Sequence, residues 1–391
     1  MTPAMLRVLT LATLFPNGAR PTLGVFVERQ TQGLAALEGV EVEVVAPVGL
    51  PAWPLSLHPH YADLRGLPIE EIRGGLKVHR PRYRVAPWLG RARTAKVIAD
   101  ALLPMVRRLR GRFPFDVIDA EYFWPDGPVA MRLARALGVP FSVKARGSDI
   151  HLWGKRRRIA AEILEASKEA GGLIAVSAAL RGDMAALGMD AGKVRVHRTG
   201  IDLDRFRPLD RAAAKARLGV SGPLLAAAGA LVPRKGQDLA LAALARIPDA
   251  TLLLIGGGPD RARLERLAGE QGVAGRVRFL GVQPHEALPG LLAAADVMVL
   301  PTASEGLANV WVESLACGTP VVTSDVGGAR EAIDRPEAGR LVPREPAAIA
   351  EAVQALLAEP PDPAMVRKAA ERFSWDRNAA ELRDHLAAIL R

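Results

Sequence analysis

The chain has a single cysteine, Cys317, in 391 residues. That excludes an internal disulfide and fits a reducing compartment. Cys317 reads as a small buried residue at a helix end. Aromatics make up only 5% of the chain, too sparse for a base-stacking platform, and no nucleic-acid-binding motif accompanies them. Long apolar runs are also missing. The longest, Leu291–Leu300 and Pro223–Pro233, are too short and Ala-rich to span a bilayer. Residues 1–14 lack a clear small-residue cleavage site, and Arg7–Leu11 reads as a first strand. No His/Cys cluster or D-x-D pair has metal-ligand spacing, so no metal and no cofactor is expected.

What is present is a globular composition, 49% hydrophobic and 24% charged, long enough for two cores. The net charge of +10 is unevenly spread. Residues 1–198 hold 29 Lys and Arg against 18 Asp and Glu, giving +11; residues 199–391 hold 23 against 24, giving −1. The excess clusters in Arg80–Arg93, Arg107–Arg112 and Lys155–Arg158. Such a basic half suits an anionic membrane surface, and a solvated Arg-rich surface is the alternative. Trp88 and Leu89, flanked by arginines, suggest a membrane-touching tip.

Short apolar runs alternate with helical patterns along the whole chain. Strands are expected at Arg7–Leu11, Val42–Ala46, Val117–Ala120, Phe141–Lys144, Leu173–Val176 and Val194–His197. A second set is expected at Leu224–Ala228, Thr251–Ile255, Val277–Leu280, Val297–Leu300, Pro320–Thr323 and near Arg340–Val342. Helical patterns include Gln237–Arg246, Pro259–Gln271, Pro284–Ala293 and Pro346–Leu357. This alternation predicts an α/β fold with two doubly wound parallel sheets. The Pro-rich stretch from Pro47 to about Arg93 reads as an irregular insertion, a natural place for acceptor binding.

Glu305-Gly-Leu-Ala-Asn-Val-Trp-Val-Glu313 sets two acids eight residues apart. Residues 305–308 read as a loop and Asn309 as the start of a helix that it could cap. N–H groups at a helix start form an anion site, and Gly306 admits a close approach. Gly229-Ala-Leu-Val-Pro-Arg234-Lys235-Gly236 puts two cations before a helix, which suits a diphosphate. Gly256, Gly257 and Gly258 follow a strand, and Leu280 precedes Gly281 at the end of another. Each of these is weak alone: a solvated basic turn or an ordinary tight turn has the same look.

Glu305–Glu313 and the flanking "ACGTPVV…DVGGAREAI" resemble the E-x7-E region of the retaining glycosyltransferases of family 4. The resemblance covers most of the chain. It implies the GT-B arrangement, two Rossmann-like domains facing a cleft. The N-terminal acceptor-binding domain would be 1–198, with a last helix at about 374–391 packing back on it; the nucleotide-sugar domain would be 199–373. It implies Glu305 near the donor sugar, Glu313 on the ribose, and backbone contacts from Gly306, Leu307 and Ala308, with Asn309 on sugar or phosphate. Lys235 and Arg234 would meet the diphosphate beside Gly229, Gly256, Gly257 and Gly258, with Leu280 near the base. Ala230 departs from the family's usual Arg.

In the first half, "TLFPNGARPTLG" (Thr13–Gly24, with Asn17) resembles relatives that build bacterial surface polysaccharides. Glu121 and Arg146 stand where histidines are frequent, in Ala145-Arg-Gly-Ser-Asp149. Arg146 cannot act as a base but could bind a phosphate. Asp149 and Asp126 are the carboxylates expected on the acceptor side, with a turn or cap role as the alternative. The implied function is retaining, metal-independent transfer of a sugar from a UDP- or GDP-sugar to a saccharide or lipid-linked acceptor, at the cytoplasmic membrane face. The partners would be that nucleotide sugar, the acceptor and an anionic membrane, not nucleic acid. An epimerase or phosphorylase of the same fold, or a non-catalytic membrane-peripheral assembly protein, are the alternatives.

Overall fold

The computed structural model describes residues 5–85 and 93–391. Trp88 and Leu89 lie outside the described residues. The chain divides into two compact units, Met1–Gly200 with Trp375–Arg391, and Ile201–Ser374.

Among the described residues the first unit carries ten strands: β1 Leu6–Leu11, β2 Val40–Val45, β3 Val48–Pro51, β4 Glu70–Arg73, β5 Leu76–His79, β6 Arg82–Val85, β7 Val117–Ala120, β8 Phe141–Ala145, β9 Gly172–Ala175 and β10 Val194–Val196. Eight form one sheet in the order β10-β9-β8-β7-β1-β2-β5-β4. All neighbours are parallel except β4 against β5. Strands β7, β8 and β9 are buried throughout, as parallel strands covered on both faces must be. The last helix, Trp375–Ile389, adds Leu382 and Leu386 to the core formed by Leu6, Val8, Leu34, Val117 and Ile174.

The second unit carries β11 Leu224–Ala228, β12 Thr251–Ile255, β13 Val277–Gly281, β14 Val297–Leu300, β15 Val321–Thr323 and β16 Gly339–Leu341. They form one parallel sheet in the order β13-β12-β11-β14-β15-β16. Its core joins Leu225, Leu252 and Val297 to Leu241, Ile349 and Val353 of the covering helices.

From Val48 to Val85, the described part of the stretch expected to be an irregular insertion, the chain forms strands. β5 extends the main sheet beside β2, β4 closes its edge, and β3 pairs with β6 in a separate two-stranded parallel sheet. Charged residues inside β4, β5 and β6 hid those strands. His79 of β5 is buried with Nε2 2.6 Å from Glu43 and Nδ1 3.1 Å from Glu70. The helix expected from Pro284 begins only at Leu288, because Ala287 N–H closes a turn onto Pro284 O.

Candidate active site

In each sheet the order of strands reverses direction at one point: between β1 and β7 in the first unit and between β11 and β14 in the second. Loops leaving the carboxyl ends of such neighbouring strands diverge and leave room for a ligand. Nearly all of the residues singled out in the sequence lie on loops at these two edges or at the helix starts that follow them.

In the second unit the loop after β11 runs from Gly229 to Gly236. Its 3-10 turn, Pro233–Lys235, ends at Gly236 with φ +74°. A Cβ there would lie 2.3 Å from Pro301 O, so only glycine fits. At Gly229 the backbone angle (φ +152°) favours glycine, and a Cβ there would meet Lys235 Cε at an ordinary contact distance of 3.5 Å. The loops after β12 and β13 are stitched to this one by backbone. Gly229 N–H donates to Ile255 O, Leu231 N–H to Gly257 O and Gly256 N–H to Gly281 O. A Cβ on Gly256 would come 2.0 Å from Gly229 O, and one on Gly258 2.3 Å from Leu231 O. The glycine triplet therefore packs loop against loop.

The loop after β14 carries Glu305. Its Oε1 accepts from Lys235 Nζ at 2.6 Å, from Arg234 Nη1 at 2.9 Å and from Thr302 Oγ1 at 3.1 Å. Arg234 Nη1 also donates to Ser304 O, and its backbone O accepts from Ala303 N–H and Thr302 Oγ1. The pair Lys235–Glu305 is largely shielded, whereas Arg234 is 44% exposed. Gly306 O accepts from Gly328 N–H at 2.6 Å, and a Cβ on Gly327 would sit 2.0 Å from Glu305 O. The turn after β15 thus clamps the Glu305 loop from behind.

Asn309 does not cap the following helix. Ala308 holds the N-cap position and Asn309 is the first residue of Asn309–Ala316; Leu307 and Ala308 are buried under the loop. Glu313 lies one turn in, with Oε1 3.2 Å from His285 Nε2. The His285 ring meets Phe206 edge-on at 5.3 Å. Leu280 O accepts from Gln283. Cys317 closes the helix, buried, with burial pushing its thiol up to about 12.

In the first unit Gly24 takes φ +70° at the start of the helix Val25–Ala35. A Cβ there would strike Leu14 O at 2.3 Å. Asn17 Oδ1 accepts from Ala19 and Arg20 N–H, closing the loop after β1. The fully buried Arg80 braces the same loop, donating to Pro16 O at 2.6 Å and to Glu71.

Glu121 is fully buried. Its carboxylate accepts from Gln30, from Lys144 Nζ at 3.2 Å and from Arg146, whose Nε also donates to Glu121 O at 2.8 Å. Arg146 lies over the Phe26 ring at 4.6 Å. Burial alone would raise the Glu121 carboxyl, but Lys144 and Arg146 outweigh it and hold it at about 2. Burial and the Glu121 charge push neighbouring Asp119 up to about 8.

Asp149 is likewise not a presented carboxylate. Oδ1 accepts from the N–H of Arg146, Gly147 and Ile150, and Oδ2 from Phe123 and Arg146. It builds the loop that aims Arg146. Asp126 is buried too, accepting from Thr13 N–H at 3.1 Å, and burial pushes it up to about 7. Asp149 takes the turn role, whereas Asp126 ties its helix start to the loop after β1 and caps nothing.

Comparison with known proteins agrees with this architecture. Residues 210–373 match the glycosyl transferases group 1 family and residues 23–205 match glycosyltransferase family 4. The D-inositol 3-phosphate glycosyltransferase of Frankia alni is 35% identical over 86% of this chain and 86% of its own. The chain is a group 1 glycosyltransferase. TuaC of Bacillus subtilis, a glycosyltransferase named for teichuronic acid biosynthesis, is 30% identical over 89% of this chain and 88% of its own. Among solved structures, sucrose-phosphate synthase from Thermosynechococcus elongatus aligns with a TM-score of 0.78 at 23% identity, over 97% of this chain and 98% of that one. Anabaena HepE, solved in complex with UDP, aligns with a TM-score of 0.76 at 19% identity, over 98% of this chain and all of its own. These likenesses show the GT-B fold.

For this glycosyltransferase, sequence reasoning missed Thr302 and His285 in the second unit and Gln30, Arg80, Asp119 and Lys144 in the first. Lys144 and Asp119 had a signal: a charge inside an otherwise apolar strand must find a partner when buried. Thr302 and His285 had none beyond proximity to Glu305 and Glu313 in the fold.

Proposed function

We propose that this glycosyltransferase moves a sugar from a UDP- or GDP-sugar to a saccharide or lipid-linked acceptor in bacterial cell-surface polysaccharide synthesis, retaining the anomeric configuration and needing no metal. The observation that carries the reading is the convergence of Lys235, Arg234 and Thr302 on one oxygen of Glu305 at the switch point of the second sheet. Two cations fixed there, one shielded and one exposed, suit a diphosphate. The UDP complex of Anabaena HepE and the surface-polymer role in the name of TuaC support the donor and the pathway class.

Breaking the anomeric bond leaves negative charge on the departing diphosphate. Lys235 and Arg234 are the groups to meet it, and cations fixed before the reaction stabilise it without reorganising. Glu305 holds both in place and turns its remaining acceptor capacity to the hydroxyls of the donor sugar. Glu313, steadied by His285, takes the ribose. Retention by a double displacement would use a carboxylate against the sugar. Glu121 is committed to buried cations and Asp149 to backbone N–H groups. The reading is therefore front-face attack, with a phosphate oxygen taking the acceptor's proton. The test is a transfer assay in EDTA with the product's anomeric configuration read by NMR. A retained linkage formed in EDTA supports the reading; inversion, or abolition by EDTA, contradicts it. Conversion of the donor without acceptor would favour an epimerase.

A further inference from the structure

Of the eleven large apolar side chains exposed among the described residues, four stand at one end of the small sheet of the first unit: Trp53, Leu55, Leu57 and Val85. Trp53 is 78% exposed, Leu55 55% and Leu57 57%. All three lie on the loop after β3. Val85, at the end of β6, is also exposed. The register of the small sheet brings these together: Val48 pairs with Arg82 and Pro51 with Val85, so Trp53–Leu57 leave from the end at which Val85 stands. A Trp and two leucines held out within five residues do not pack any core, and a soluble surface normally avoids such a cluster.

Charge says what would cover it. Residues 51–85 hold six Lys and Arg against three Asp and Glu. Glu70 pairs with Arg112 and His79, and Glu71 with Arg80; Arg73 and Lys77 are likewise paired, with Glu28 and Glu43. Arg84, beside Val85, is exposed, and Arg65 reaches back to the loop itself, donating to Ser56 O. Apolar tips ringed by arginine suit the boundary between headgroups and acyl chains of an anionic bilayer: Trp and Leu enter the interface and the guanidinium groups stay at phosphate level. Among the described residues no helix is long and apolar enough to cross a membrane, so the contact is peripheral.

We propose that the loop Trp53–Leu57, with Val85 and Arg84, is a lipid-docking surface that seats the first unit on an anionic membrane. It is independent of the residues assigned to sugar transfer.

The test is co-sedimentation of the full chain with vesicles of phosphatidylcholine alone, and of phosphatidylcholine with about one-third phosphatidylglycerol. The wild type is expected on the anionic vesicles, less so at high salt. The triple variant Trp53→Ser, Leu55→Ser, Leu57→Ser is expected to bind at least about tenfold more weakly, and Arg84→Glu roughly fivefold more weakly. These side chains are exposed, so the triple variant keeps the wild-type melting temperature and any nucleotide-induced rise in it. Equal binding by wild type and triple variant, or no binding by either, overturns the proposal. So does a concentration-dependent wild-type dimer that the triple variant abolishes, since a second copy would then be the occupant. Loss of nucleotide response in the wild type with vesicle binding intact would sink the donor reading alone.

Discussion

Lys235 Nζ lies 2.6 Å from Glu305 Oε1, and the two side chains come from loops on either side of the β11–β14 switch point. Without ligand, the carboxylate neutralises the cation that a diphosphate would need. Glu305→Gln removes that competition while keeping the shape. Diphosphate binding should stay as tight or tighten, while sugar transfer falls by at least about a hundredfold as positioning and charge stabilisation are lost. Calorimetry with UDP or GDP, set beside the transfer rate, separates the two effects. Parallel loss of both would place Glu305 in simple scaffolding.

The glycine triplet makes a prediction about stability. At Gly256 a Cβ would lie 2.0 Å from Gly229 O, in a backbone with φ +142°. Gly256→Ala should destabilise the second unit by more than about 2 kcal/mol. Gly269, inside the helix Arg261–Glu270, has nothing within 4 Å of its would-be Cβ. Gly269→Ala should stabilise by up to about 1 kcal/mol. Urea denaturation of the two variants checks the contrast.

The buried cluster in the first unit is held together by opposite charges. Lys144→Met leaves Glu121 facing Arg146 alone and should cost roughly 3–5 kcal/mol. Adding Glu121→Gln should recover part of that loss, since the uncompensated charge goes with it. Additive losses in a double-mutant cycle would mean that the two do not act as a pair. In the wild type the stabilisation from Glu121 is present above the ordinary carboxyl value of 4.5 and lost as pH falls toward its folded value of about 2.

Asp126 works in the opposite sense. Burial raises its carboxyl from 3.8 to about 7. The folded state then binds the proton more tightly than the unfolded chain. Stability is lost as pH climbs from about 4 to about 7 while the buried group ionises. Asp126→Asn keeps an oxygen for Thr13 N–H and escapes that loss. Its melting temperature relative to wild type should rise across this window, by an amount equivalent to a few kcal/mol or less, and level off above it. A difference that stays constant with pH would contradict the assignment.

The fold was most legible in the central strands of the second sheet. β11, β12 and β14 fall at the expected bounds, because a parallel strand covered on both faces reads as a nearly continuous apolar run. β4, β5 and β6 were hidden by Glu70, Glu71, Lys77, Arg82 and Arg84, whose charges find ion pairs or solvent that only the folded chain reveals. The glycines were expected for approach to a ligand, and the structure uses Gly256 and Gly258 to pack loop against loop; Lys235 was expected at a diphosphate, and the structure sets it on Glu305. The roles of Asp149 and Asn309 were not legible. An acid in a loop looks the same whether it meets a ligand or collects five backbone N–H bonds, and an Asn at a helix start looks the same at N-cap and one residue further.

The most direct test of the account is the melting temperature in the presence of UDP, GDP, ADP and CMP, with Lys235→Ala alongside. A ligand that binds the folded state raises that temperature with its concentration over Kd. The account predicts a rise with one nucleoside diphosphate, naming the donor base, and its loss in Lys235→Ala. No rise with any of them, or an equal rise in Lys235→Ala, would contradict a donor site built on the Lys235–Glu305 pair.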